Sequence, residues 1–182
     1  MCIPGCTSSP SRSAGSAPVT CTAASCSDSP AYDPGRWNNP PIVGSTNCYA
    51  YAANDPNGHP PGKPQPGQRC GHPAAAVDCA EVGRASLCDG MIAAPNPPPP
   101  RPGYYPVALV ADPGVDYHWY RLDRNGRWSH KPGNTAATDC DASGQPITNP
   151  ETADRNYGAV NYSQFCGYYY VPAGGIRTGP PP

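Results

Sequence analysis

The chain has 182 residues, with 28 Pro, 20 Gly, 10 Cys and a net charge of −1. Leu, Ile, Val and Phe make up about a tenth of it, far below the roughly one-fifth that a large apolar core requires. Balanced charge without a basic cluster excludes nucleic acid as a partner, and no stretch approaches the ~20 apolar residues of a transmembrane helix.

The missing apolar volume is replaced by 12 Tyr, 3 Trp and many Ala. This composition predicts a small, aromatic-rich core with long irregular segments. No CxxC pair occurs, which argues against a zinc ribbon or finger, and no cofactor or metal is expected. Ten cysteines in this setting predict a disulfide framework formed in an oxidising, extracellular compartment. Each bridge would add roughly 2–4 kcal/mol to a thin core. The N-terminus MCIPGCTSSP lacks the basic and apolar regions of a signal peptide, so secretion would need a signal outside this numbering.

In chain order, residues 1–40 read as an extended Cys/Pro/Ser-rich arm carrying Cys2, Cys6, Cys21 and Cys26. Residues 41–172 read as one α+β domain, and 173–182 as a Gly/Pro tail. Asn47–Asn54, NCYAYAAN, is a short helix: Ser45, Thr46 or Asn47 can cap it, and Asn54-Asp55-Pro56 ends it. A Pro/Gly loop follows, holding His59 and His72, which default to solvated loop histidines. Pro73 then opens a helix over about 74–88, since Pro fits the first helical position. Residues 96–103, NPPPPRPG, form a polyproline spacer.

The C-terminal half turns to strand. Tyr105–Ala111 is one strand, and VDYHWYRLDRNGRWSH reads as a hairpin around Asn125-Gly126. A two-residue turn there would pair Arg121 with His130, leaving His130 and His118 on opposite faces. A three-residue loop with Gly126 in the left-handed position of a bulge pairs Tyr120 with His130 and makes the two histidines diagonal neighbours. Residues 132–160 are loop, and 164–173 is a final strand. Asp139-Cys140-Asp141-Ala142-Ser143-Gly144 opens like a calcium loop. Its register then fails at Ile147 and Glu151, leaving either calcium in another geometry or an Asx-rich turn.

Cys48 is either one half of a disulfide or a nucleophile at a helix start, where partial positive charge favours the thiolate and an imidazole can take its proton. His118, in mid-strand, is the candidate base. His130 is the candidate orienting residue, ahead of Asn134. The order Asn47-Cys48, strand His118, Gly-containing turn and His130 resembles the NlpC/P60 amidases and peptidases of the papain-like superfamily. That resemblance implies short N-terminal helices packed on a small antiparallel sheet. It also implies hydrolysis of an amide bond, in peptidoglycan or peptide, through a Cys48 acyl-enzyme. Tyr49 and Ala50 depart from the small residues that usually follow the family's cysteine. HWYRLDRNGRWSHKPG also resembles a block in secreted proteins, some of them from mineralised matrices. The tyrosine, proline and arm cysteines suit the other class of function: an extracellular structural protein that self-assembles through its N-terminal arm, on a papain-like scaffold without activity.

Overall fold

The structure is a computed structural model and describes residues 26–57 and 63–181; Cys2, Cys6, Cys21 and His59 lie outside them. Among the described residues four short helices, α1 (Pro34–Trp37), α2 (Ile42–Ser45), α3 (Cys48–Ala52) and α4 (Cys79–Cys88), precede the sheet. Its strands are β1 (Ile92–Ala94), β2 (Tyr104–Asp112), β3 (Asp116–Leu122), β4 (Trp128–His130) and β5 (Gln164–Pro172). They form one antiparallel sheet in the order β1-β5-β2-β3-β4. The class is α+β, as the sequence suggests.

Local chemistry explains most boundaries. Asn47 caps α3, its side chain accepting from the Ala50 N–H at 3.1 Å. The expected helix over 74–88 begins five residues late. The Asp78 carboxylate takes the Glu81 N–H at 2.8 Å, and the Glu81 carboxylate takes the Ala75 N–H at 3.1 Å. Asp78 satisfies a first-turn donor of the helix and Glu81 ties down the preceding non-helical segment, so this acidic pair outweighs Pro73 as a start signal. β1 is too short and too Ala-rich to be visible in the sequence; pairing to Tyr168–Tyr170 makes it a strand.

Alternation divides the sheet's side chains between two layers. One face carries Tyr105, Val107, Leu109, Tyr117, Trp119, Tyr169 and Val171, and α3 and α4 cover it with Cys48, Tyr49, Ala52 and Val82. The other carries Ala108, Val110, Tyr120, Leu122, Trp128 and Tyr168, covered by Cys26, Ile147 and Tyr162 from outside the regular elements. A register shift between Leu109 and Val110 sets Gly167 and Phe165 opposite successive β2 residues. The extra residue, Cys166, is turned to the helix face, where it is bonded to Cys79 of α4. Cys70–Cys88 ties the preceding loop to the end of α4, and Cys26 and Cys140 are also disulfide-bonded.

Packing extends into residues assigned above to arm and tail. Cys26, Trp37 and Thr178 are buried. Trp37 stacks edge-on to Tyr51 at 4.8 Å. Arg121, fully buried, donates to the Tyr51 carbonyl at 3.1 Å and to the Ala31 carbonyl at 3.3 Å, and pairs with Asp123 at 2.8 Å.

Candidate functional site

The hairpin turn is the bulged one. Asp123 and Arg127 close a three-residue loop in which Gly126 has φ 77°, and Tyr120 pairs with His130, Arg121 with Ser129, Leu122 with Trp128. Tyr120 and His118 share a face, so this register brings the two histidines together: His118 Nε2 lies 2.7 Å from His130 Nδ1. His130 Nε2 lies 2.9 Å from the Cys140 carbonyl, which can only accept. Nε2 of His130 therefore carries a proton, its Nδ1 accepts, and His118 donates through Nε2. Burial holds both rings neutral. It lowers His130 to about 4 and, with the neighbouring His130, lowers His118 well below the usual imidazole value.

Cys48 does not join them. It packs in the cluster of Tyr117 and Trp119; the His118 ring, one residue along in register, contacts Tyr120 and Tyr162 on the far side of the sheet. The thiol's hydrogen bond is to the Tyr117 carbonyl, with Sγ 3.9 Å from the oxygen. Among the described residues Cys48 is the free cysteine, and it is buried. Burial, with Asp116 nearby, pushes its pKa up to about 12. A reactive cysteine needs the opposite environment, one that favours thiolate and places a base beside it. A five-residue helix with an Asn cap does not offset the desolvation.

The other candidates are accounted for by structure. Asn134 is exposed in the turn after β4, and His72 is exposed in its loop. Asp141 accepts the Ser143 and Gln145 N–H groups through one oxygen, at 3.0 and 2.9 Å, and the Asp154 N–H through the other at 3.1 Å. These are the bonds of Asx turns, and no cluster of His, Cys, Asp or Glu able to hold a metal occurs among the described residues. Sequence reasoning passed over Lys131, whose ammonium donates to the Val43, Thr46 and Gly133 carbonyls at 2.8, 2.9 and 2.7 Å. Burial lowers it to about 8. Its position directly after His130 carries no signal of a buried cation, because two of its three acceptors, the Val43 and Thr46 carbonyls, come from distant backbone.

Comparison with known proteins agrees with this geometry. No protein-family model matches the chain, and no solved structure matches it, so the papain-like assignment within α+β gains no support. Over 140 residues the chain is 41% identical to insoluble matrix shell protein 1 of Ruditapes philippinarum, covering 77% of this chain and 88% of that protein. A shorter stretch of 90 residues, half of this chain, is 34% identical to 4% of the non-structural polyprotein p200 of rubella virus. The shell protein overturns the resemblance to NlpC/P60 enzymes: a cysteine, a strand histidine and a Gly turn in that order also arise in a disulfide-stapled scaffold. With 41% identity across most of both chains, the chain belongs to the family of insoluble matrix shell protein 1.

Proposed function

We propose that this protein is an extracellular structural component of a shell matrix, held insoluble by disulfides between copies. The observation that carries the reading is the 41% identity to a protein named for an insoluble shell matrix. Two features of the chain support it. With Cys48 free, nine of the ten cysteines remain, and an odd number cannot all pair within one copy of this sequence. The described fold is also a closed scaffold whose free thiol is buried and whose histidines bond one another. Cys26 of the arm is already disulfide-bonded, so the cysteine that the odd count leaves over, among Cys2, Cys6 and Cys21, supplies the interchain bond.

The test is oxidative refolding of the full chain at high protein concentration in a glutathione buffer, followed by non-reducing electrophoresis. Covalent multimers that dithiothreitol collapses, persist in Cys48→Ala and are lost in a triple Cys2, Cys6, Cys21→Ser variant are the expected result. Monomer under every oxidising condition would sink the reading. So would an amidase activity that disappears in Cys48→Ala.

A further inference from the structure

A second feature lies at the far end of α3. A cleft of about 290 Å³ opens between α1, the turn that ends α3 and the segment after β5, lined by Arg36, Asn54, Asp55, Asn57, Gly174 and Arg177 among others. We infer that this cleft binds a planar monoanionic oxyanion, the carboxylate of an acidic ligand or a bicarbonate ion, between the Arg36 and Arg177 guanidinium groups.

The floor is fixed. Asn54 turns the chain at φ 54° and Gly175 at φ 79°. A Cβ on Gly175 would stand 2.6 Å from the Ala53 carbonyl oxygen, so only glycine lets this segment lie so close against the end of α3. The Ile176 N–H donates to that same carbonyl at 3.0 Å. Asp55 is almost completely buried in the wall, and donors surround its carboxylate: the Thr178 N–H at 2.8 Å, the Thr178 hydroxyl at 3.1 Å, Asn57 Nδ2 at 3.3 Å and Arg177 Nη1 at 3.3 Å. That last contact orients Arg177 through one nitrogen and leaves the rest of a side chain that is 63% exposed free to bind. The Arg36 guanidinium has no hydrogen-bond or ion-pair partner among the described residues. Its backbone N–H belongs to Asp33, which caps α1 without lining the cleft.

The ligand class follows from charge and shape. Two guanidinium groups against one carboxylate leave the cleft with one net positive charge, which suits a monoanion better than a phosphate or sulfate dianion. Guanidinium forks match a planar carboxylate or bicarbonate with two parallel bonds. The volume is several times the roughly 30 Å³ of one water, room for the carboxylate and part of the group that bears it. This binding goes beyond the cross-linking role and needs no interchain disulfide.

The full chain would be titrated calorimetrically with sodium acetate, sodium bicarbonate and sodium sulfate, with chloride holding ionic strength constant. Wild type is expected to bind acetate or bicarbonate saturably in the millimolar range. Arg36→Ala is expected to bind about tenfold more weakly, about 1.4 kcal/mol. Because the Arg36 guanidinium makes no hydrogen bond or ion pair among the described residues, the melting temperature of Arg36→Ala should not change; Arg177→Ala is the second variant, with its melting curve reported alongside. Acetate without bicarbonate assigns the site to carboxylate ligands, bicarbonate without acetate assigns it to bicarbonate, and either supports the inference. Equal affinity in wild type and Arg36→Ala would overturn it, as would sulfate binding tightest or no saturable binding of any of the three.

Discussion

The two faces of the sheet are closed by different chemistry. The helix face is a mostly apolar and aromatic layer stapled by Cys79–Cys166 and Cys70–Cys88, with its free thiol sealed inside. The opposite face is closed by chain without helix or strand, which carries the disulfide-bonded Cys26 and Cys140 but is held to the strands through the His118–His130 pair, the Cys140 carbonyl and a run of Asx turns. A covalent staple is indifferent to pH, whereas a neutral imidazole pair is not. The two layers should therefore fail under different conditions, although they share every strand.

The largest expected effect is on the helix face. Replacing Cys79 and Cys166 with Ser opens a loop of separation 87 and is expected to cost about 4 kcal/mol, read as a fall in the urea midpoint. Trp128→Ala on the opposite face removes a fully buried indole and is expected to cost about 3–5 kcal/mol. If the double Ser variant proves no less stable than wild type, the helix layer does not depend on its staple and the contrast fails.

His130→Ala should cost about 1–3 kcal/mol by leaving the Cys140 carbonyl and the His118 N–H buried without partners. It should also remove the His130 share of the acid sensitivity, while burial keeps the His118 share. Both folded-state imidazoles have lowered pKa values, His130 at about 4. Below the unfolded value near 6.5 the unfolded chain takes up protons that the folded chain refuses, so stability present above that value is lost as pH falls toward 4. Amide exchange measured at pH 7 and pH 4.5 should show residues 138–147 opening before α4. Uniform opening of both layers would remove the distinction between them.

Alkali should act on the helix face through Cys48. Its folded pKa is raised to about 12, so the stability it contributes is complete below the unfolded thiol value near 8.5 and is lost as pH rises from there. Cys48→Ala should be the mildest change, about 1 kcal/mol for one small buried group, and should flatten the alkaline limb. Iodoacetamide should leave native Cys48 unlabelled and modify it only in denaturant. Rapid labelling of the native protein would mean that the helix face is open at this point.

Much of this was legible in the sequence. Asn47 as one of three possible caps, the α3 stop at Asn54-Asp55-Pro56, the β2 and β5 strands and a hairpin around Asn125-Gly126 follow from short-range chemistry, side-chain oxygens that reach backbone N–H groups and a turn-forming Asn-Gly; the sequence left the two-residue and the bulged turn open, and the structure selects the bulged one. The hairpin register alone makes His118 and His130 neighbours, because strand alternation is a local property. Local rules state which residues share a face. They do not state which face a distant helix will cover. Only the tertiary path settled that α3 packs on the side of Tyr117 and Trp119, and that single choice separates Cys48 from His118. The same path gathers Arg36, Asp55 and Arg177 from three parts of the chain into one cleft, supplies Lys131 with two distant carbonyls, and makes a strand of Ile92–Ala94. These are long-range juxtapositions, fixed by burial and chain connectivity together, and no window of neighbouring residues contains them.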